Sequence, residues 1–191
     1  MGLGIGIAYR SRKRQKVEAQ GPSQIQRGAF VHDVWAMDFT TVRVGNRRFR
    51  VLVVMDEYSR RILHLEVASS FGGYRTVAVL KEVMGRYGPP RRVRSDAGPE
   101  FRSRPFRKLL EKNRIQQEYR PGSPWANGVV ERTIRAMKEE GGEEFSDFAE
   151  AQKKLLAWKA YFNQKRPHAA LNYRYPEEVY REGLGYPRQV A

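Results

Sequence analysis

Apolar and polar positions change period several times along this chain, and each change marks an element. From Phe30 to Val44, Trp35, Met37 and Phe39 alternate with Ala36, Asp38 and Thr40, the period-two pattern of a strand. Gly45-Asn46 supplies a turn. Arg48 to Met55 then carries the unbroken run Val51-Leu52-Val53-Val54-Met55, expected of a strand covered on both faces. Asp56 to Arg61 predicts a second turn and Ile62 to Val67 a third strand, which makes an antiparallel meander. The period then lengthens. Val77, Leu80 and Met84 fall on one side of a helix from Tyr74 to Tyr87, stopped by Gly88-Pro89-Pro90. Arg91 to Ser95 is a short strand that follows a helix, hence parallel to its neighbour. Ser103 or Arg104 opens another helix, with Pro105 in its first turn and Phe106, Leu109 and Leu110 inward, and Ile115 to Tyr119 is a fifth strand.

Ser123-Pro124 is a strong helix start: serine caps free amides, and proline at the first helical position loses no hydrogen bond. That helix is expected to run to Gly141-Gly142. A further helix, Phe145 to Gln164, has Phe148, Leu155, Trp158 and Phe162 as its core stripe. The order predicts an α/β fold: a five-stranded mixed sheet, three antiparallel strands then two parallel, flanked by helices. Residues 1–29 lack apolar periodicity and hold the basic run Arg10 to Lys16, the mark of a flexible arm. Residues 30–182 are expected to form one domain closed by a C-terminal helical strap, with 183–191 as a tail.

Charge sharpens this picture. In 191 residues, 36 Lys and Arg face 21 Asp and Glu, a formal net charge of +15. An excess of that size favours a polyanionic partner, because each phosphate contact releases counterions; solubility is the bland alternative. With no cysteine and three scattered histidines, disulfides, thiolate nucleophiles and His-Cys zinc modules are excluded. No apolar run approaches the roughly 20 residues that cross a bilayer, so no membrane partner is expected and the cytoplasm, with the nucleoid when on DNA, is the default compartment. Gly2, Gly4 and Gly6 mimic a phosphate loop, but no strand precedes them.

Three acids carry the candidate chemistry. Asp38 sits mid-strand among apolar neighbours, where an unpaired carboxylate is costly and needs a cation, a donor or a proton. Asp96 ends a strand just before Gly98-Pro99 turns the chain away. Glu131 shares a helix face with Asn127, Arg135 and Lys138, while Val130, Ile134 and Met137 supply an apolar face to bury. A cluster of carboxylates suits hard cations, Mg²⁺ or Mn²⁺. The bland readings are an arginine-paired Asp38 and a solvated Glu131. Asp56 is a rival metal ligand, although its place beside Ser59 and Arg60 favours a turn-stabilising role. His168 beside Arg166 could meet a phosphate; a packed surface histidine is the commoner outcome.

Trp35-Ala-Met-Asp38-Phe-Thr, Val54-Met-Asp56-Glu-Tyr-Ser-Arg60, Ser95-Asp96-Ala-Gly98-Pro-Glu-Phe101 and Ser123-Pro-Trp-Ala-Asn127-Gly128-Val-Val-Glu131-Arg resemble the catalytic core of retroviral-type integrases, and more closely the transposases of bacterial insertion sequences. Asn163-Gln-Lys-Arg-Pro167-His168-Ala-Ala-Leu171-Asn-Tyr173 and Pro176-Glu-Glu-Val179 resemble the segment that closes those bacterial enzymes. The resemblance implies a ribonuclease-H-like fold and an Asp-Asp-Glu triad of Asp38, Asp96 and Glu131. On this reading the triad holds two Mg²⁺ or Mn²⁺ ions for DNA strand cleavage and 3′-hydroxyl strand transfer. Asn127, Arg132, Arg135 and Lys138 would orient the site and hold DNA, and a homo-oligomer would join two DNA ends. Between Asp96 and Glu131 lie 34 residues, one fewer than is usual in the family, a difference expected in the loop at 120–123. Such transposases usually carry an upstream helix-turn-helix, and nothing before Phe30 can form one. The expectation is a fragment, a second reading frame's product, or reliance on a separate recognition subunit. The competing functions are a catalytically decayed DNA-binding or assembly protein and a metal nuclease of the same fold.

Overall fold

A computed structural model describes residues 26–118 and 127–185. The sheet is built from β1 (Val34–Val44), β2 (Arg47–Asp56), β3 (Ile62–Ala68), β4 (Arg92–Arg94) and β5 (Gln116–Glu118), in the spatial order β3-β2-β1-β4-β5. β1–β2 and β2–β3 are antiparallel, β1–β4 and β4–β5 parallel, as the chain pattern predicts. A two-residue strand, β6 (Glu144–Phe145), extends the end of β1 in parallel. α1 (Gly73–Tyr87), α2 (Pro99–Arg102) and α3 (Arg104–Lys112) cover one side. α4 (Gly128–Ala136), which continues as a π-helical turn over Met137–Gly141, and α5 (Phe148–Gln164) cover the other. α6 (Pro176–Gly183) closes the chain.

The alternation of β1 and β2 divides the interior in two. Trp35, Met37, Leu52 and Val54 face Leu80, Val83, Phe106 and Leu110 of α1 and α3. Ala36, Val51, Val53 and Met55 face Val130, Ile134, Leu155 and Phe162 of α4 and α5. Successive strand residues point to opposite faces, so the unbroken apolar run of β2 serves both cores.

Several boundaries differ from expectation, each for a local reason. β1 begins at Val34 because His32 adopts a left-handed backbone, φ 67°, and the buried Asp33 side chain accepts from Ala29 N at 2.9 Å. Residues 26–29, expected in the arm, are tied to the domain: Arg94 donates to Gln26 O at 2.8 Å and Gly28 N to Glu57 at 3.0 Å. The Ser123-Pro124 start lies outside the described residues; the described helix begins at Gly128, with Asn127 before it. α5 starts at Phe148, where Asp147 caps Glu150 N at 2.8 Å, and Phe148 is 40% exposed, so Ala151 takes its expected place in the core stripe. The strap is ordered and helical. Val179 and Tyr180 of α6 are buried, and Tyr180 packs edge-on to His32 with a 3.1 Å hydrogen-bond contact.

The parallel half of the sheet has a feature that periodicity did not reveal. Arg92 and Arg94 share a face of β4, and both are buried. Arg94, 3% exposed, meets Glu57 at 2.5 Å and Glu118 at 2.8 Å; Arg92 meets Asp33 and Glu118, each at 2.8 Å. Such a network is sustained only when each charge is paired, since burying an unpaired charge costs several kcal/mol. Arg94→Ala should therefore cost about 3–5 kcal/mol of folding free energy in urea unfolding. A loss below about 1 kcal/mol would show that the network does not hold the strand ends.

Candidate active site

The β1–β4 register sets the first two acids side by side. Ala36 pairs with Arg94. Asp38 lies two residues beyond Ala36, and Asp96 two residues beyond Arg94. The strands run parallel, neighbours lie about 4.8 Å apart, and side chains repeat every second residue. Asp38 therefore lies on the sheet face that α4 covers, and Asp96 follows β4 just past the point where the β1–β4 pairing ends. Asp38 is half-buried and Asp96 exposed. Asp38 Oδ1 accepts from Phe39 N at 2.8 Å, and Asp96 Oδ1 from Gly98 N at 3.0 Å.

α4 brings the third. Its Val130, Ile134 and the following Met137 sink into the core beneath β1 and β2. Asn127 Nδ2 donates to Met37 O at 3.2 Å, one residue before Asp38. Asn127 is thus buried and fastens the start of α4 to β1; it is not on the exposed face expected from helical spacing, since regular helix begins only after it. Glu131, Arg132 and Arg135 are exposed, and Lys138 is half-buried with Glu143 at 3.5 Å.

Burial, first, and then the like charges of Asp96 and Glu131 push the Asp38 carboxyl up to about 7, against the opposing Phe39 N–H. The three acids thus share a neighbourhood in which their charges act on Asp38. They do not close into a coordination shell: among the described residues no group of three or more His, Cys, Asp or Glu is near enough to hold a metal ion. The chemistry of the set nonetheless fits a divalent cation, with hard oxygen donors only and an excess of negative charge at a desolvated carboxylate. Asp56, the rival, is spent locally. Its carboxylate is fully buried and accepts from Ser59 N, Ser59 Oγ and His32 N.

Such a sheet, an antiparallel meander continued by two short parallel strands and covered by helices on both sides, has the form of a ribonuclease-H-like core. Models of the integrase core domain match residues 31–124 and 113–176, together most of the chain. The chain belongs to the integrase core domain family. It is 31% identical over 177 residues, 91% of its length, to an uncharacterized 31.7 kDa protein of insertion element IS407 from Burkholderia multivorans, and 30% over 168 residues, 86% of its length, to an uncharacterized 39.2 kDa protein of IS476 from Xanthomonas euvesicatoria. It spans 64% and 49% of those two proteins. Among solved structures it resembles the HTLV-2 integrase catalytic core domain in complex with magnesium, with a TM-score of 0.66 at 16% identity over 81% of this chain and 99% of that one. At that identity the likeness speaks for the fold. Among the described residues no helix is long and apolar enough to cross a membrane.

A carboxyl whose folded pKa is raised stabilises the fold most when protonated. That benefit is full below 3.8 and is lost as pH rises through about 7. Asp38→Asn keeps the acceptor for Phe39 N and removes the charge. It should stabilise the metal-free protein above pH 7 by on the order of 1 kcal/mol, or about 2–4 °C in Tm. The gain should vanish below pH 4, as read by thermal melts across pH. A lower Tm at pH 8 would contradict crowding of like charge at Asp38.

Proposed function

We propose that this chain is the catalytic core of an insertion-sequence transposase, cutting one DNA strand and joining the freed 3′-hydroxyl to a second phosphodiester. The observation that carries the reading is the matched offset of Asp38 and Asp96 beyond a parallel strand pair, under a helix whose Glu131 adds its charge to theirs. Asp38, Asp96 and Glu131 would hold divalent ions, Mg²⁺ or Mn²⁺. When bound, such ions sharpen the attacking oxygen and stabilise the leaving one.

The protein's own share is placement. The Phe39 and Gly98 amides orient one oxygen each of Asp38 and Asp96, which leaves the second oxygens for ligation. Asn127 pins the helix start, so that Glu131 is carried at a fixed height over β1. Arg132 and Arg135, exposed beside Glu131, draw the phosphate backbone along the helix, and Lys138 serves the same face more weakly because Glu143 competes for it. The protein would work as a homo-oligomer, since two DNA ends must meet one target, in the bacterial cytoplasm where the related elements reside. Recognition of the element ends would fall to sequence beyond this core or to a separate subunit.

A duplex with one labelled strand, incubated with Mg²⁺ or Mn²⁺, tests the reading. Wild-type protein should yield nicked and joined products. Asp96→Asn should yield neither, while holding the duplex with affinity changed by less than about twofold, a difference under 0.5 kcal/mol. Mn²⁺ should raise the Tm of wild-type protein and not of Asp96→Asn. Nicks without joints would indicate a nuclease; binding with neither would indicate a decayed core; full activity in Asp96→Asn removes Asp96 from the chemistry.

A further inference from the structure

A basic cavity adjoins α4 on the side away from the three acids. It measures about 320 Å³ and lies between α4, the β2–β3 turn and the strap after α5. Arg60, Arg132, Arg135 and Arg166 converge on it with His168; Glu139 is the acid on its rim. From Glu131 to Arg132 the direction turns about 100°, so the cavity lies roughly a third of a helix turn round from the acid face.

One buried donor beside this cavity lacks a partner: Arg60 Nη1 forms no hydrogen bond. His168 Nε2 is also unpartnered, on an imidazole that burial first, and then Arg166, hold down at about 4. Leaving such a group unmet costs about 1–3 kcal/mol. Arg60 is also held at φ 65°, a conformation that side-chain-bearing residues take rarely and glycine freely. The turn is locked there by Asp56 and Ser59. The chain thus places an arginine where backbone preference asks for glycine, half-buries it beside the positive Arg132, and leaves its Nη1 unmet. Arg166 is already paired, with Glu140 at 2.8 Å, and His168 stands edge-on to Phe162 at 4.6 Å between ring centroids. Packing explains those two contacts and not the unmet Arg60 donor. A single anion would satisfy Arg60 and relieve the repulsion among the guanidinium groups.

We propose that this cavity is a phosphate site that seats a phosphodiester of the DNA backbone, with Arg60 as its central donor and Arg132 and Arg135 beside it. The proposal rests on the reading of this protein as a DNA-processing core, and extends the DNA track from the acid face of α4 round to the β2–β3 turn.

The test uses Arg60, which stands outside the contacts predicted from α4. Arg60→Gly suits the φ 65° backbone, so the variant should fold with an unchanged or higher Tm. Binding of a fluorescent duplex of arbitrary sequence, followed by anisotropy across a salt series, should show affinity reduced several-fold and the slope of log K against log salt smaller by about one. Arg60→Lys should recover most of both. Unchanged slope and affinity in folded Arg60→Gly would overturn the proposal. So would inorganic phosphate raising the wild-type Tm through Arg60 while duplex binding ignores Arg60, since the cavity would then serve a free anion. Nicking and joining, measured on the same proteins, keep the two readings apart. Wild-type protein that binds duplex through Arg60 yet never cuts loses the transposase reading and keeps the phosphate site; protein that cuts and joins with an Arg60-independent salt slope does the reverse.

Discussion

The arrangement depends on one register: Ala36 opposite Arg94 in a parallel pair only three residues long. A one-residue slip in either strand would turn its acid to the opposite face, because side chains alternate. Three parallel pairs are a weak clamp by hydrogen bonding alone. The clamp is reinforced by charge: Arg92 and Arg94, buried on one face of β4, are each shared between carboxylates from different parts of the chain. Glu118 meets both arginines, so β5 is fixed to β4 by side chains as well as backbone. Paired charges of this kind add little over an apolar filling in free energy, but they tolerate few alternative registers. Here a register is what the site requires.

The same sheet face gives up stability at one position. Beneath α4 the apolar side chains of Val53, Val130 and Ile134 fill the space well, and a residue of similar character at position 38 would pack with them. The protein keeps an aspartate there, half-buried and crowded by like charge, and burial penalises its ionised form most. Tension of this sort, localised at one carboxylate in an otherwise consistent core, is what sequences accept at functional positions.

Much of this was legible in the chain. The five strands, their sense, and the helices between them follow from period and punctuation, because β2's unbroken apolar run and β1's alternation have few other solutions. Asp38, Asp96 and Glu131 could be named from the chain as candidates, and the turn role of Asp56 was legible too. Three features were not. The distance of Asn127 from regular helix depends on backbone that spacing cannot see, so its side chain seemed exposed when it is buried on Met37 O. Phe148 is expected in the core stripe, but it is the first residue of the helix after the Asp147 cap and is 40% exposed. The β4 ion network had a signal that was passed over: Arg92-Val93-Arg94 alternates charged with apolar in a strand placed inside the sheet, which calls for carboxylates on the charged face.

The strap links these observations. Its far end, Tyr180, locks onto His32, Trp35's hydrogen-bond partner, and so steadies the segment from which β1 enters the sheet. Its near end carries Arg166 and His168 against α4 and the Arg60 turn. One stretch of chain therefore braces the strand that bears Asp38 and walls the basic cavity beside the helix that bears Glu131. An anion held in that cavity would bridge α4, the β2–β3 turn and the strap, and so would tie the helix that carries Glu131 to the segment that steadies β1.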